Sequence, residues 1–230
     1  MIDLERDGDV FVLRMTGGEN RLGEALLDRL HQVLDTVEKS EGDAALVTTG
    51  EGKFYSNGLD LAGLSGVGAD EVEAVLGKLH ELFARLLAFP VATVAAINGH
   101  AFAAGAMLAL AQDFRIMRTG RGFVCLPEID LATGQPLTPG MYALLDARLS
   151  RAAFHEALVS GRRYPAEQAL TRGLVDEALP QERVLPRALE RARELAGKDR
   201  ATLVALKRGL FASALEALGR PLADAPAQRR

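Results

Sequence analysis

Apolar positions along this chain alternate between two periods. Residues 9–16, DVFVLRMT, alternate and are rich in β-formers, which predicts a strand. Across 22–39, Leu26, Leu27, Leu30, Val33, Leu34 and Val37 recur at helical spacing and predict an amphipathic helix. The same succession follows twice more. AALVTT (44–49) reads as a buried strand and 70–88 as a helix stopped by Pro90. VATVAAI (91–97) reads as a second buried strand, with a turn at Asn98-Gly99 and a short helix over 104–112. DFRIMR (113–118) and GFVCLPEIDL (122–131) predict further strands. From Pro139 onward the pattern is helical apart from a short GLVDEAL (173–179), and the tail DAPAQRR reads as a frayed end. The alternation predicts an α/β fold of parallel βαβ units up to about residue 135, its strands covered on both faces. Helices without much sheet to cover follow, a composition suited to packing on a neighbouring subunit, so a homo-oligomer is expected.

Composition narrows the picture. The 230 residues carry 31 acidic and 27 basic side chains, a net charge of −4. Such a balance offers no electrostatic footprint for nucleic acid. No apolar run is long enough to span a membrane, and the start MIDLERDGDV, acidic and polar, resembles neither a signal nor a transit peptide. One cysteine, Cys125, excludes an internal disulfide and fits a reducing cytoplasm. The four histidines (His31, His80, His100, His155) are scattered, so no metal site is expected. Phosphate-loop, nucleophile-elbow and dinucleotide-binding spacings are all absent.

Candidate chemistry lies in two loops rich in small residues. INGHAFAAGAMLALAQDF (97–114) runs from a strand end through Asn98-Gly99 into a helix near Ala104, with no catalytic side chain. A helix start presents unpaired N–H groups, and small residues let a ligand reach them. KFYSNGLDL (53–61) follows another predicted strand. Both loops belong at the carboxyl end of a sheet, where open α/β sheets bind ligands. One N–H from each would make an oxyanion hole, although tight helix-on-sheet packing explains the small residues of the second loop equally well.

Four segments in order resemble the crotonase superfamily, the enoyl-CoA hydratase/isomerase family. KFYSNGLDL resembles its first oxyanion loop and AAINGHAFAAGAMLALAQDFRIM its second. LPEIDLATGQPLTPGM resembles its Pro-Glu segment, and SGRRYPAEQALTRGLVDEAL its Gly-Leu-Val segment. The resemblance implies a ββα spiral core over 1–180 and a C-terminal helical trimerisation region over 181–230. It implies a homotrimer or a dimer of trimers, an acyl-CoA thioester substrate and no cofactor beyond the CoA moiety of that substrate. It also implies a longer C-terminal helical region than this chain supplies.

Carried over by position, the oxyanion donors are the N–H groups of Leu59 and Ala104. The family's hydratases place one glutamate at position 107, which here is Met107, and a second at Glu128, which is present. Hydration is well served by two carboxylates sharing a water, whereas moving a double bond from the 3,4 to the 2,3 position needs one carboxylate to carry a proton from C2 to C4. Asp130, two residues on in a predicted strand, would share a face with Glu128 and is a candidate second carboxylate. His100 is expected to be structural; Tyr55 either touches ligand or closes its loop. ENRLGEAL (19–26) resembles the family's Asn-Ala-Leu helix start beside the adenine, Arg21 and Lys53 are candidate CoA-phosphate partners, Asn57 and Asp60 of the first loop are candidate CoA-binding residues, and Lys207 on a late helix is placed to reach a neighbour's CoA. Three readings stand: an isomerase, a divergent hydratase using Asp130 or a positioned water, and a non-catalytic acyl-CoA-binding protein.

Overall fold

A computed structural model of the chain describes residues 1–131 and 137–222. Two sheets organise it. The larger has six strands in the order β1-β2-β3-β5-β7-β9: Ile2–Asp7, Val10–Met15, Ala45–Gly50, Ala92–Ile97, Phe114–Arg118 and Glu177–Leu179. All its pairings are parallel except β1 with β2. The smaller sheet, order β4-β6-β8, is made of Phe54–Ser56, His100–Phe102 and Val124–Cys125.

The period of two explains the large sheet's two cores. Phe11, Leu13, Leu46, Ala95, Ile97 and Met117 face the main core. The alternate residues Val12, Val47, Val94 and Ile116 face a second core, closed by Val184, Ala188 and Ala192 of α7 (Gln181–Leu195). Every residue of β3 and β5 is therefore buried, as expected for strands covered on both faces. This corrects the expectation that the C-terminal helices have little sheet to cover: α7 is the lid of the sheet's second face.

On the main-core side, α1 (Glu24–Glu38) lacks a side-chain N-cap and is held by burying Leu27, Leu30, Val33, Leu34 and Val37. Each such burial stabilises by roughly 1.5–3 kcal/mol relative to exposure. α2 (Ala69–Leu87) packs beside α1, and α3 (Ala104–Leu110) is buried along its whole length. Helices α4 (Pro139–Arg148), α5 (Arg151–Ser160) and α6 (Ala166–Thr171) follow, and α8 (Arg200–Leu210) and α9 (Ala212–Leu218) close the described chain. α9 packs against α4 and α2. His80 on α2 accompanies that joint: its Nε2 lies 2.7 Å from the hydroxyl of Thr138, the residue that caps α4 by accepting the Met141 N–H.

Three local readings change. The acidic start forms β1, an edge strand paired with β2 through a turn at Gly8, and its exposed charges suit an edge. The segment 122–131 is a strand only at Val124–Cys125; Glu128–Asp130 is one turn of 3₁₀ helix. Part of what reads as loop in KFYSNGLDL is β4. The tail from 223 and residues 132–136 of the Pro-Glu segment lie outside the described residues. Among the described residues no helix is long and apolar enough to cross a membrane, and no cluster of His, Cys, Asp or Glu is arranged for a metal.

Candidate active site

The small sheet positions the site. Its three strands run parallel, so the loops leaving their carboxyl ends converge: 57–60 after β4, 103–104 after β6 and 126–130 after β8. The Leu22–Leu59 bridge sets the first loop. The Leu22 N–H donates to Gly58 O at 2.8 Å, and the Asp60 N–H donates to Leu22 O at 3.3 Å. In an extended segment successive N–H groups point to opposite sides. With the groups flanking Leu59 turned toward Leu22, the Leu59 N–H points away from it, free to meet a ligand.

The second loop turns sharply. Ala103 has φ 49° and ψ −124°, backbone that an alanine adopts at a cost of about 1–3 kcal/mol. Its N–H donates to Cys125 O at 3.0 Å, and its carbonyl accepts the N–H groups of Ala106 and Met107. Ala104, next in line, is the first residue of α3, where the N–H has no partner within the helix. The two loops touch: a Cβ placed on Gly58 would lie 3.4 Å from Ala104 N and 3.1 Å from the Ala103 Cβ. Gly105 permits that approach, since a Cβ there would strike the Ser56 carbonyl.

Glu128 stands three residues past the Cys125 carbonyl that anchors Ala103. Its residue is 8% exposed, and its buried Oε2 has no hydrogen-bond partner among the described residues. Burial pushes its carboxyl up to about 7, against a slight opposing pull from its own backbone N–H. Met107, at the position of the absent second glutamate, is buried in α3 and belongs to the apolar core. Asp130 does not supply a replacement. A 3₁₀ turn puts residues two apart on different sides, and Asp130 is exposed with its carboxylate toward Gly161.

The remaining candidates separate. Asn57 donates its side-chain N–H to the Glu19 carboxylate at 3.3 Å, and Arg21 pairs with that carboxylate at 2.6 Å. Both therefore sit at the edge of the first loop. Asp60 accepts the Gly63 N–H at 3.2 Å and shapes the turn after Leu59. Lys53 is exposed, its ammonium 5.3 Å from the Phe54 ring centre. Lys207 is a correction. It is 3% exposed, and its ammonium donates to Phe89 O, Val91 O and, at 2.7 Å, Asp113 Oδ2. With all three donors used inside the fold, Lys207 cannot reach a neighbour's CoA and instead ties α8 to the large sheet.

Tyr55 closes its loop and does not face ligand. It is fully buried, and its hydroxyl lies 2.8 Å from both Thr48 Oγ1 and Gln112 Nε2. Burial drives that phenol up to about 12. His100 packs among Phe54, Phe102 and Phe123, and burial first, then Lys53, Arg163 and Arg121, hold its pKa below the usual value. Sequence reasoning met Asn20 only as part of ENRLGEAL and passed over Ser56 and the strain at Ala103; only the polarity of Ser56 beside a small-residue loop was there to be noticed. Two surface grooves, about 240 and 450 Å³, lie elsewhere, one by α7 and one between α2 and α8.

Known proteins resemble this chain in sequence and in fold. The model of the family described as enoyl-CoA hydratase/isomerase matches residues 5–223. The chain belongs to that family. It is 35% identical over 211 residues to an Arabidopsis thaliana protein named enoyl-CoA delta isomerase 2, peroxisomal, covering 86% of each chain. A putative enoyl-CoA hydratase of Thermus thermophilus is 35% identical over 220 residues, 92% of this chain and 83% of that one. Among solved structures, human mitochondrial delta3-delta2-enoyl-CoA isomerase superposes with a TM-score of 0.86 at 26% identity, over 94% of this chain and 85% of that one. The crotonase fold expected from the four motifs is thus established.

Proposed function

We propose that this enzyme of the enoyl-CoA hydratase/isomerase family is a Δ3,Δ2-enoyl-CoA isomerase acting through Glu128. The observation that carries the reading is one buried carboxyl with an oxygen unpartnered among the described residues, on a loop that leaves the small sheet at the same end as the loops of Leu59 and Ala104, with a methionine where a second carboxylate would stand. The thioester oxygen of a 3-enoyl-CoA accepts hydrogen bonds from the Leu59 and Ala104 N–H groups. Ionised Glu128 takes a proton from C2, and the charge moves to the thioester oxygen as an enolate, which those donors stabilise. The neutral acid then returns the proton to C4, leaving the 2,3 double bond. A carboxyl near 7 suits both halves, because it takes up and releases a proton readily at neutral pH.

Arg21 and Lys53 are the proposed CoA-phosphate partners, and a homotrimer accords with Leu206 and Leu210, which α8 exposes at 60% and 76%. The test is proton NMR in heavy water with 3-hexenoyl-CoA in one tube and 2-hexenoyl-CoA in another. Conversion of the first to the 2-enoyl isomer, with no 3-hydroxyacyl product in either, is expected. A 3-hydroxyacyl product would make the enzyme a hydratase despite Met107. No change in either tube would favour the acyl-CoA-binding reading.

A further inference from the structure

We infer that Asn20 is a positioning residue for the oxyanion hole, aiming the Leu59 N–H; the inference rests on the proposed role of that group. Asn20 is 1% exposed and stands at φ 49°, a left-handed conformation that asparagine tolerates better than most residues. Its side chain joins two segments distant in sequence. Nδ2 donates to Met15 O at 3.2 Å at the end of β2, and to Phe54 O at 3.3 Å and Tyr55 O at 3.0 Å on β4. Oδ1 accepts the Gly17 N–H at 2.8 Å. A buried amide with this many partners holds one orientation, because any rotation leaves a buried carbonyl unmatched.

From Asn20 the connection to Leu59 has two short arms. The Asn20 carbonyl accepts the Ser56 hydroxyl at 2.8 Å, and Ser56 Oγ in turn accepts the Gly58 N–H at 3.3 Å. Two residues after Asn20, Leu22 makes the paired bonds to Gly58 and Asp60 that turn the Leu59 N–H toward the ligand. The 15–22 segment thus acts as a splint for the loop, and Asn20 fastens it. Arg21, between Asn20 and Leu22, has its side chain outside, paired with Glu19. The splint therefore places one candidate CoA partner and one oxyanion donor from a single short segment.

Replacement Asn20→Asp keeps shape and removes both N–H donors to the three carbonyls. The readout is the carbonyl stretch of hexanoyl-CoA carrying carbon-13 at C1, a saturated thioester that cannot isomerise, measured by isotope-edited infrared spectroscopy. Binding to the wild type should lower the stretch, and Asn20→Asp should lose at least about half of that shift. On 3-hexenoyl-CoA its kcat should fall at least about tenfold, short of the 10²–10³ for losing a whole donor, with KM within about threefold. Ser56→Ala should move the stretch the same way by less, and it carries the test if Asn20→Asp does not fold. Val33→Ala, a core truncation in α1, should lower thermal stability and leave the stretch unmoved. Folded Asn20→Asp or Ser56→Ala with the full wild-type shift would overturn the inference alone. A wild type that shows no shift would remove the oxyanion hole itself, and this inference with it.

Discussion

The two proposed oxyanion donors are held in opposite ways. The Leu59 loop is fastened by side chains: Asn20, Ser56 and Asp60 each bond its backbone or the segment braced against it. The Ala104 turn has almost no side chain to fasten. It is fixed by main-chain bonds from Ala103, by a helix buried on all sides, and by contacts so close that only small residues fit. A loop leaving a strand has free backbone groups that need partners, and polar side chains supply them. A helix start packed into a core needs shape, since its N–H groups are wanted unpaired. The first donor should therefore fail when atoms are removed, the second when atoms are added.

The largest effect is expected from adding one methyl group to the second. In Gly105→Ala the new Cβ meets the Ser56 carbonyl, part of the main chain, so helix and strand must separate. Turnover should drop about a hundredfold, the scale of losing one donor. The folded state should lose about 1–3 kcal/mol, measured by denaturant unfolding. A smaller effect is expected from removing one hydroxyl from the first. Ser56→Ala gives up two hydrogen bonds and should slow kcat about three- to tenfold, the scale of 1 kcal/mol or so. The smallest expected change has the opposite sign. Ala103→Gly relieves the φ 49° backbone and should stabilise the protein by about 1 kcal/mol, read as a raised denaturation midpoint, with activity kept. Were Gly105→Ala harmless while Ser56→Ala abolished turnover, the contrast between the loops would be wrong.

The same contrast explains what could be read from the chain. Periodicity located β2, β3, β5, β7 and helices α1 to α3 within a residue or two, because their apolar faces meet a core. It missed β4 and β6 as strands, since three residues are too few to show a period. It placed Glu128 in a strand, although a 3₁₀ turn continues the same residues with no change of polarity, and Asp130 went to the wrong side with it. The proposed roles of Glu128, Leu59 and Ala104 came from the family motifs rather than from pattern. Lys207 misled for a physical reason: a lysine late in a polar helix looks solvated, and nothing in its neighbours announces that Asp113, far back in the chain, receives it. Asn20 was legible as part of ENRLGEAL, but its bonds were not, because its partners are spread over about forty residues.

Glu128 also links stability to pH in a way that separates its chemistry from its packing. Its folded-state pKa, about 7, lies above the unfolded value of about 4.5, so the neutral acid is the form the fold prefers. The stability this confers is complete below about pH 4.5 and is lost as pH rises through about 7, up to roughly 3 kcal/mol at 1.36 kcal/mol per pKa unit. Activity should run the other way. The ionised carboxylate takes the first proton, so kcat/KM should climb toward a plateau with a midpoint near pH 7.

The most direct test is the rate at which Glu128→Gln converts 3-hexenoyl-CoA to its 2-enoyl isomer, beside the wild type at pH 8. Loss of at least about a hundredfold, with hexanoyl-CoA still bound and its carbonyl stretch still lowered, is the result expected of a single carboxylate shuttling the proton. A Glu128→Gln enzyme that isomerises at the wild-type rate would contradict it.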